Sequence, residues 1–120
     1  MSAAYALARP VVMPSELLEL NKRGFSNDEI YKIVGPRRTL ARRIEKNERL
    51  SVAEADRVLR IKRVIEFAER VFADPVKAHR WLRKPSRALN GAVPIELIET
   101  EEGARIVENE IGVIDHGMFA

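Results

Sequence analysis

Apolar residues recur at helical spacing along most of this chain, and the breaks between the runs fall on Gly, Pro, Asn and Ser. The clearest run covers residues 52–72. There Val58, Ile61, Ile65, Ala68 and Phe72 follow one another at gaps of 3, 4, 3 and 4, which places them on one helix face. Ser51 and Glu54 have the S-x-x-E spacing of a capping box at its start. Leu59 and Val64 widen the stripe, so this helix is expected to pack on two sides. A core helix and a dimer contact are equally open readings for it.

Upstream, Ser15 is placed to cap a first helix whose buried side is Leu17, Leu18 and Leu20. Lys22-Arg23-Gly24 closes it with cations and a Gly stop, and Phe25 plugs the corner. Ser26 or Asn27 caps a short second helix carrying Ile30, Ile33 and Val34. Gly35-Pro36 ends that helix. Leu40 and Ile44 then stand four apart, on one face of a third helix, while Arg37, Arg38, Arg42 and Arg43 fall mostly off it. Two short helices around a tight turn, the second rich in outward arginines, form a helix-turn-helix pattern. In that motif the second helix enters the DNA major groove. A solvated arginine face is the bland alternative.

Downstream, Asp74-Pro75 is an N-cap followed by Pro at N1. Ala78, Trp81 and Leu82 share the inner face of the helix it opens, with Lys77, Arg80 and Arg83 towards solvent. Trp81 reads as core and His79 as a surface or satisfied histidine. Pro85 ends the helix. Residues 84–92 form a loop with an Asn90-Gly91 turn and Leu89 pinned inwards. Pro94 opens one helical turn with Ile95, Leu97 and Ile98. Thr100 caps a last helix carrying Ala104, Val107, Ile111 and Ile114 at gaps of 3, 4 and 3. Gly103 in its first turn costs helix stability, which suggests a close helix approach. The chain closes on Asp115-His116-Gly117-Met118-Phe119-Ala120. Two readings stand for it: Phe119 folds back on the core, or the segment is a flexible plug for a partner's pocket.

Charge sharpens the picture. The net +3 is unevenly spread. Residues 1–63 carry 14 Lys/Arg against 8 Asp/Glu, hence +6, and residues 64–120 carry 7 against 10, hence −3. Residues 93–120 hold Arg105 alone against seven acids. A basic front half suits a polyanion, because phosphate contacts dominate nucleic-acid affinity; the acidic end suits a protein partner or water. With no cysteine, disulfides, thiolate zinc sites and thiol catalysis are excluded, which fits a reducing cytoplasm. No apolar run approaches membrane-spanning length. Residues 1–14, with Pro10 and Pro14, read as a loose arm rather than a signal peptide. There is no Ser-His-Asp order, Gly-rich phosphate loop, metal-ligand cluster or cofactor motif, so an enzyme is not expected.

Arg37-Arg38-Thr39-Leu40-Ala41-Arg42-Arg43 and Glu48-Arg49-Leu50-Ser51 resemble the Xre/MbcA/ParS-type antitoxins that pair with RES-domain toxins. The second half adds Phe72-x-Asp74-Pro75, Ala78, Trp81-Leu82, Pro85, Ala88-Leu89-x-Gly91, Pro94 and Thr100-x-x-Gly103, in order and spacing similar to that family's C-terminal toxin-binding domain. The resemblance spans about residues 15–120. It implies an all-α chain: an Xre-like DNA-binding part over residues 15–66 and a helical toxin-binding domain over residues 67–120. It implies a RES toxin that consumes NAD as partner, insertion of the C-terminal segment into that toxin's active site, and repression of the operon's own promoter, as a homodimer within a larger complex. It favours the plug reading of the tail. The implied DNA contacts are Arg37, Arg38 and Thr39 near the start of the recognition helix, with Arg42, Arg43, Lys46 and Arg49 on phosphates. The implied toxin contacts are Ile111, Ile114, His116, Gly117, Met118, Phe119 and Ala120. In the commonest helix-turn-helix spacing an apolar residue lies six places after the turn glycine. Here that place is Ala41, and Leu40 comes one earlier; either the turn is shorter or Val34 takes the glycine's place. The competing reading is a stand-alone regulator whose C-terminal half dimerises or binds an effector.

Overall fold

The computed structural model describes residues 10–118 and is all-helical over them. Seven α-helices follow in order among the described residues: α1 Ser15–Lys22, α2 Asn27–Ile33, α3 Arg37–Lys46, α4 Val52–Phe72, α5 Pro75–Leu82, α6 Pro94–Leu97 and α7 Glu101–Met118, with a 3-10 turn at Arg87–Leu89 before α6. The chain divides into two compact units, Met1–Val58 and Leu59–Ala120, and the division falls inside α4.

Up to α2 the local signals act as read, with three exceptions. Ser26 caps α2 through a complete capping box with Glu29, and Phe25 is buried. Gly24 closes α1 at φ 104°, a conformation that favours glycine. Ser15, however, is the first helical residue rather than the cap; Pro14 holds the N-cap position without a side-chain bond. Leu17 and Leu20 are buried, but Leu18 is 50% exposed. One turn of α1 has room for an i, i+3 pair on its inner face and not for the residue between. Finally, Val12 is not loose. It is buried, and its carbonyl accepts the Leu50 N–H at 2.8 Å. The rest of the expected arm, residues 1–9, lies outside the described residues.

The second unit is organised on α4 and α7. Ile61, Val64, Ile65, Ala68 and Val71 of α4 are buried, as are Ala104, Val107 and Ile111 of α7. The inner stripe of α4 ends on Val71. Phe72 is half-buried and stacks against Trp81, with ring centroids 5.8 Å apart. Leu59 is 37% exposed. Asp74 caps α5 by accepting the Val76 N–H, with Pro75 at N1. Thr100 caps α7 by accepting the Gly103 N–H at 2.9 Å. The start of α7 is fastened to α4 by two arginines. Arg60 reaches Glu101 and donates to the Glu99 carbonyl, and Arg63 grips Glu101 and Glu108. Among the described residues no helix is long and apolar enough to cross a membrane.

Candidate functional site

The basic helix α3 follows α2 through Val34, Gly35 and Pro36. Gly35 does not adopt positive φ, and a Cβ there would make only ordinary contact with Leu40 and Glu54. The sharp turn comes from Pro36, at φ −60° and ψ 144°, which cannot extend α2. Val34 and Leu40, six apart, are both buried. This is the spacing expected if Val34 takes the place of the turn glycine.

The inward face of α3 differs from the expected Leu40/Ile44 pair. It is Thr39, Leu40 and Arg43: Leu40 is fully buried, Thr39 and Arg43 are partly so, and Ile44 is 45% exposed. Ile44 instead lines a surface cleft of about 170 Å³ with Leu18 and Tyr31. Arg43 turns inwards because an acid waits there. Its Nε donates to Glu54 Oε1 at 2.7 Å, Nη2 to Oε2 at 3.3 Å, and Nη1 to Glu48 at 3.3 Å. Glu54 is the one buried acidic or basic residue among those described. It also accepts the Ser51 N–H at 2.8 Å while its own N–H bonds Ser51 Oγ. One carboxylate thus caps α4 and anchors α3. Nearby, Arg57 donates to the Val34 carbonyl at 3.1 Å, satisfying a carbonyl at the end of α2.

The electrostatics agree with the geometry. Donating to the Glu54 carboxylate raises the Arg43 pKa above its ordinary value. For Glu54, burial works to raise the pKa, but the Arg43 hydrogen bond, the Ser51 N–H and the Arg43 charge outweigh it and hold it below the usual carboxylate value. A depressed folded pKa means that the unfolded chain binds more protons in that range. The stabilisation from Glu54 is therefore complete above the unfolded carboxylate pKa of about 4.3 and is lost as pH falls through the folded value. We expect the melting temperature to fall below about pH 4.5, and Glu54→Gln to flatten that acid limb. Melting curves across the acid range for both proteins would check this, and parallel limbs would refute it.

The remaining arginines stand apart from this clamp. Arg37, Arg38, Arg42, Lys46 and Arg49 are exposed, and none of their side chains has a hydrogen bond or ion pair among the described residues. Arg37, Arg38, Arg42 and Lys46 lie on the outward side of α3; Arg49 follows the left-handed Asn47 that ends it. Five of the seven sequence-selected cationic and polar residues are thus exposed, four on the outward side of α3 beside Glu45 and one just beyond its end. The structure places Thr39 half inside and Arg43 in the clamp.

The second candidate region is the end of α7. Ile111 is fully buried and belongs to the core. Ile114 is half-buried, and His116 and Gly117 are exposed. The segment expected to be flexible is helical as far as Met118, because neither Gly112 nor Gly117 meets a helix-ending signal. Phe119, Ala120 and the side chain of Met118 lie outside the described residues. Sequence reading overlooked the outward apolar residues of α7, Ile106 at 44% and Val113 at 64% exposure. Their i, i+7 spacing is the signal that could have found them.

Comparison with known proteins bears on both regions. Residues 67–117 match the family described as the antitoxin Xre/MbcA/ParS C-terminal toxin-binding domain. The chain is similar to the Antitoxin Xre of Pseudomonas putida, with 36% identity over 84% of this chain and 64% of that protein. It is similar to the Antitoxin Xre of Yersinia enterocolitica, with 33% identity over 96% of this chain and 91% of that protein. A Prs ADP-ribosylating antitoxin of Sphingobium is 31% identical over 68% of this chain and 57% of that protein. The chain spans about two thirds of the length of the first two curated relatives it matches, 64% and 66%.

Proposed function

Because the chain belongs to the Xre/MbcA/ParS family of antitoxins, we propose that it is a non-enzymatic antitoxin that neutralises a cognate RES-domain, NAD-consuming toxin and represses its own operon by binding promoter DNA. The observation that carries the DNA half is the free basic surface of α3. Arg37, Arg38 and Arg42 project from a helix held inwards by Leu40 and the Arg43–Glu54 clamp, so a duplex would meet a mainly cationic face on which Glu45 is the one exposed acid of α3. Residues near the start of the helix, Arg37 and Arg38, would reach base edges, and Arg42, Lys46 and Arg49 phosphates. Support for the toxin half is the match over residues 67–117 together with the exposed end of α7, where His116 and Gly117 precede Met118, Phe119 and Ala120. That end would enter the toxin's active site and exclude NAD.

The test is co-expression with the adjacent open reading frame while cellular NAD is measured, comparing the full chain with one ending at Asp115. The expected outcome is that both bind the neighbour but only the full chain preserves NAD. If both preserve NAD, binding alone neutralises and the end of α7 is not the blocking element. If nothing co-purifies and NAD does not respond, the toxin reading fails, and a helix-turn-helix regulator remains on the strength of α3.

A further inference from the structure

We infer that α5 and the turn after it form a second DNA-phosphate contact, separate from α3 and carried by the second unit. Lys77, Arg80 and Lys84 are all exposed; Lys77 and Arg80 share one side of α5 at i and i+3, and Lys84 follows two residues beyond its end at Leu82. The Lys84 N–H bonds the Trp81 carbonyl at 3.4 Å, which holds the turn after α5 against its last residues. Ala78 and Leu82, on the other side, are fully buried, which fixes the basic sector outwards. Arg87 adds another exposed cation beyond Pro85.

This charge is uncompensated. Residues 67–92 carry six Lys/Arg against Glu69 and Asp74. Both acids are engaged: Asp74 caps α5, and Glu69 faces His79 at 3.7 Å. None of the side chains of Lys77, Arg80, Lys84 or Arg87 has an ion pair or hydrogen bond among the described residues. A protein-binding surface normally centres on aromatic or aliphatic anchors with charge at its rim. Here Trp81 is turned towards Phe72, Val76 is the one exposed large apolar side chain of α5, and the charges, not an apolar cluster, hold the middle of the surface. Its dimensions suit a phosphate ladder. From Lys77 to Leu82 the helix rises about 7–8 Å, a distance over which one DNA strand presents about two phosphates, with Lys84 beyond it. The inference rests on the DNA-binding reading of the chain and extends it from one unit to both.

The test uses the full chain and a labelled mixed-sequence duplex, with affinity followed as salt is raised. The triple variant Lys77→Ala, Arg80→Ala, Lys84→Ala should bind roughly tenfold or more weakly at low salt, and its log–log salt slope should be about 2–3 units shallower. The charge-keeping variant Lys77→Arg, Arg80→Lys, Lys84→Arg should keep the wild-type slope. Exposed-site alanines in a helix are well tolerated, and an unchanged melting temperature confirms the fold. An unchanged slope in the triple alanine variant, while Arg37→Ala with Arg38→Ala and Arg42→Ala abolishes binding, overturns the inference and leaves the α3 reading intact. An unchanged slope with loss of a co-purifying protein assigns α5 to an acidic protein surface and also overturns it. No salt-dependent binding by the wild type overturns both readings.

Discussion

Replacing Gly103 with alanine should destabilise the second unit by about 3 kcal/mol, at the upper end of what overpacking costs. An added Cβ would overlap the backbone carbonyl of Leu97, with the Thr100 hydroxyl close beside it. A carbonyl cannot rotate away as a side chain can, so the turn between α6 and α7 must move. That turn has little freedom. Ile98 is fully buried, the Ile98 and Glu99 carbonyls accept from Arg60, and the Gly103 N–H is held by Thr100. A shift would loosen all of these at once. Gly112 is the internal control, since a Cβ there meets nothing within 4 Å. Within a helix that change should stabilise by about 0.5–1 kcal/mol. In thermal melts, Gly103→Ala should lower the midpoint by roughly 10 °C or more and Gly112→Ala should raise it. Equal shifts for the two, or a Gly103→Ala midpoint matching wild type, would refute the close-approach account.

Glycine cost at position 103 was visible in the sequence; its cause, a carbonyl three residues before the cap, belongs to tertiary structure. The same division holds elsewhere. Capping chemistry is local, so Ser26 with Glu29, Ser51 with Glu54, Asp74 with Pro75, and Thr100 were all readable from spacing. The long stripe on α4 was readable because six turns average out its exceptions. Short helices lack that averaging. On α1 and α3 a shift of one position decides which residue faces inwards, and Leu18 and Ile44 were assigned to the wrong side. Apolar periodicity also has no means of placing a charged residue inside. Arg43 occupies an inner position because Glu54, eleven residues away, neutralises it. At the C-terminus, composition suggested a loose tail after Ile114. Nothing short-range says that α7 continues through Gly117 to Met118.

The Arg43–Glu54 pair leads to the other large expected effect. Glu54→Ala should cost the first unit about 3 kcal/mol, within the range for breaking a buried ion pair by removing one partner. Two losses combine. The Ser51 N–H loses its acceptor, and the Arg43 guanidinium, whose side chain is 17% exposed, keeps only Glu48. Arg43→Ala should cost less, because the Glu54 carboxylate retains the Ser51 N–H. The double variant separates pairwise attraction from capping. In urea unfolding, Arg43→Ala with Glu54→Ala should be less destabilising than the sum of the single changes, by about 1–2 kcal/mol of coupling. Additivity within about 0.3 kcal/mol would mean that the clamp contributes nothing as a pair. On the proposed DNA-binding reading, the clamp also changes what is expected of Arg43. A free phosphate contact, once removed, makes the salt slope shallower by about one unit. A guanidinium already neutralised by two carboxylates releases no such counterion. Arg43→Ala should therefore weaken DNA binding by tilting α3 while leaving the salt slope unchanged, and Arg42→Ala should reduce the slope by about one. Were Arg43→Ala to flatten the slope as much as Arg42→Ala does, Arg43 would have to leave Glu54 for phosphate on binding, and the clamp would be a resting state of α3 rather than its fixed support.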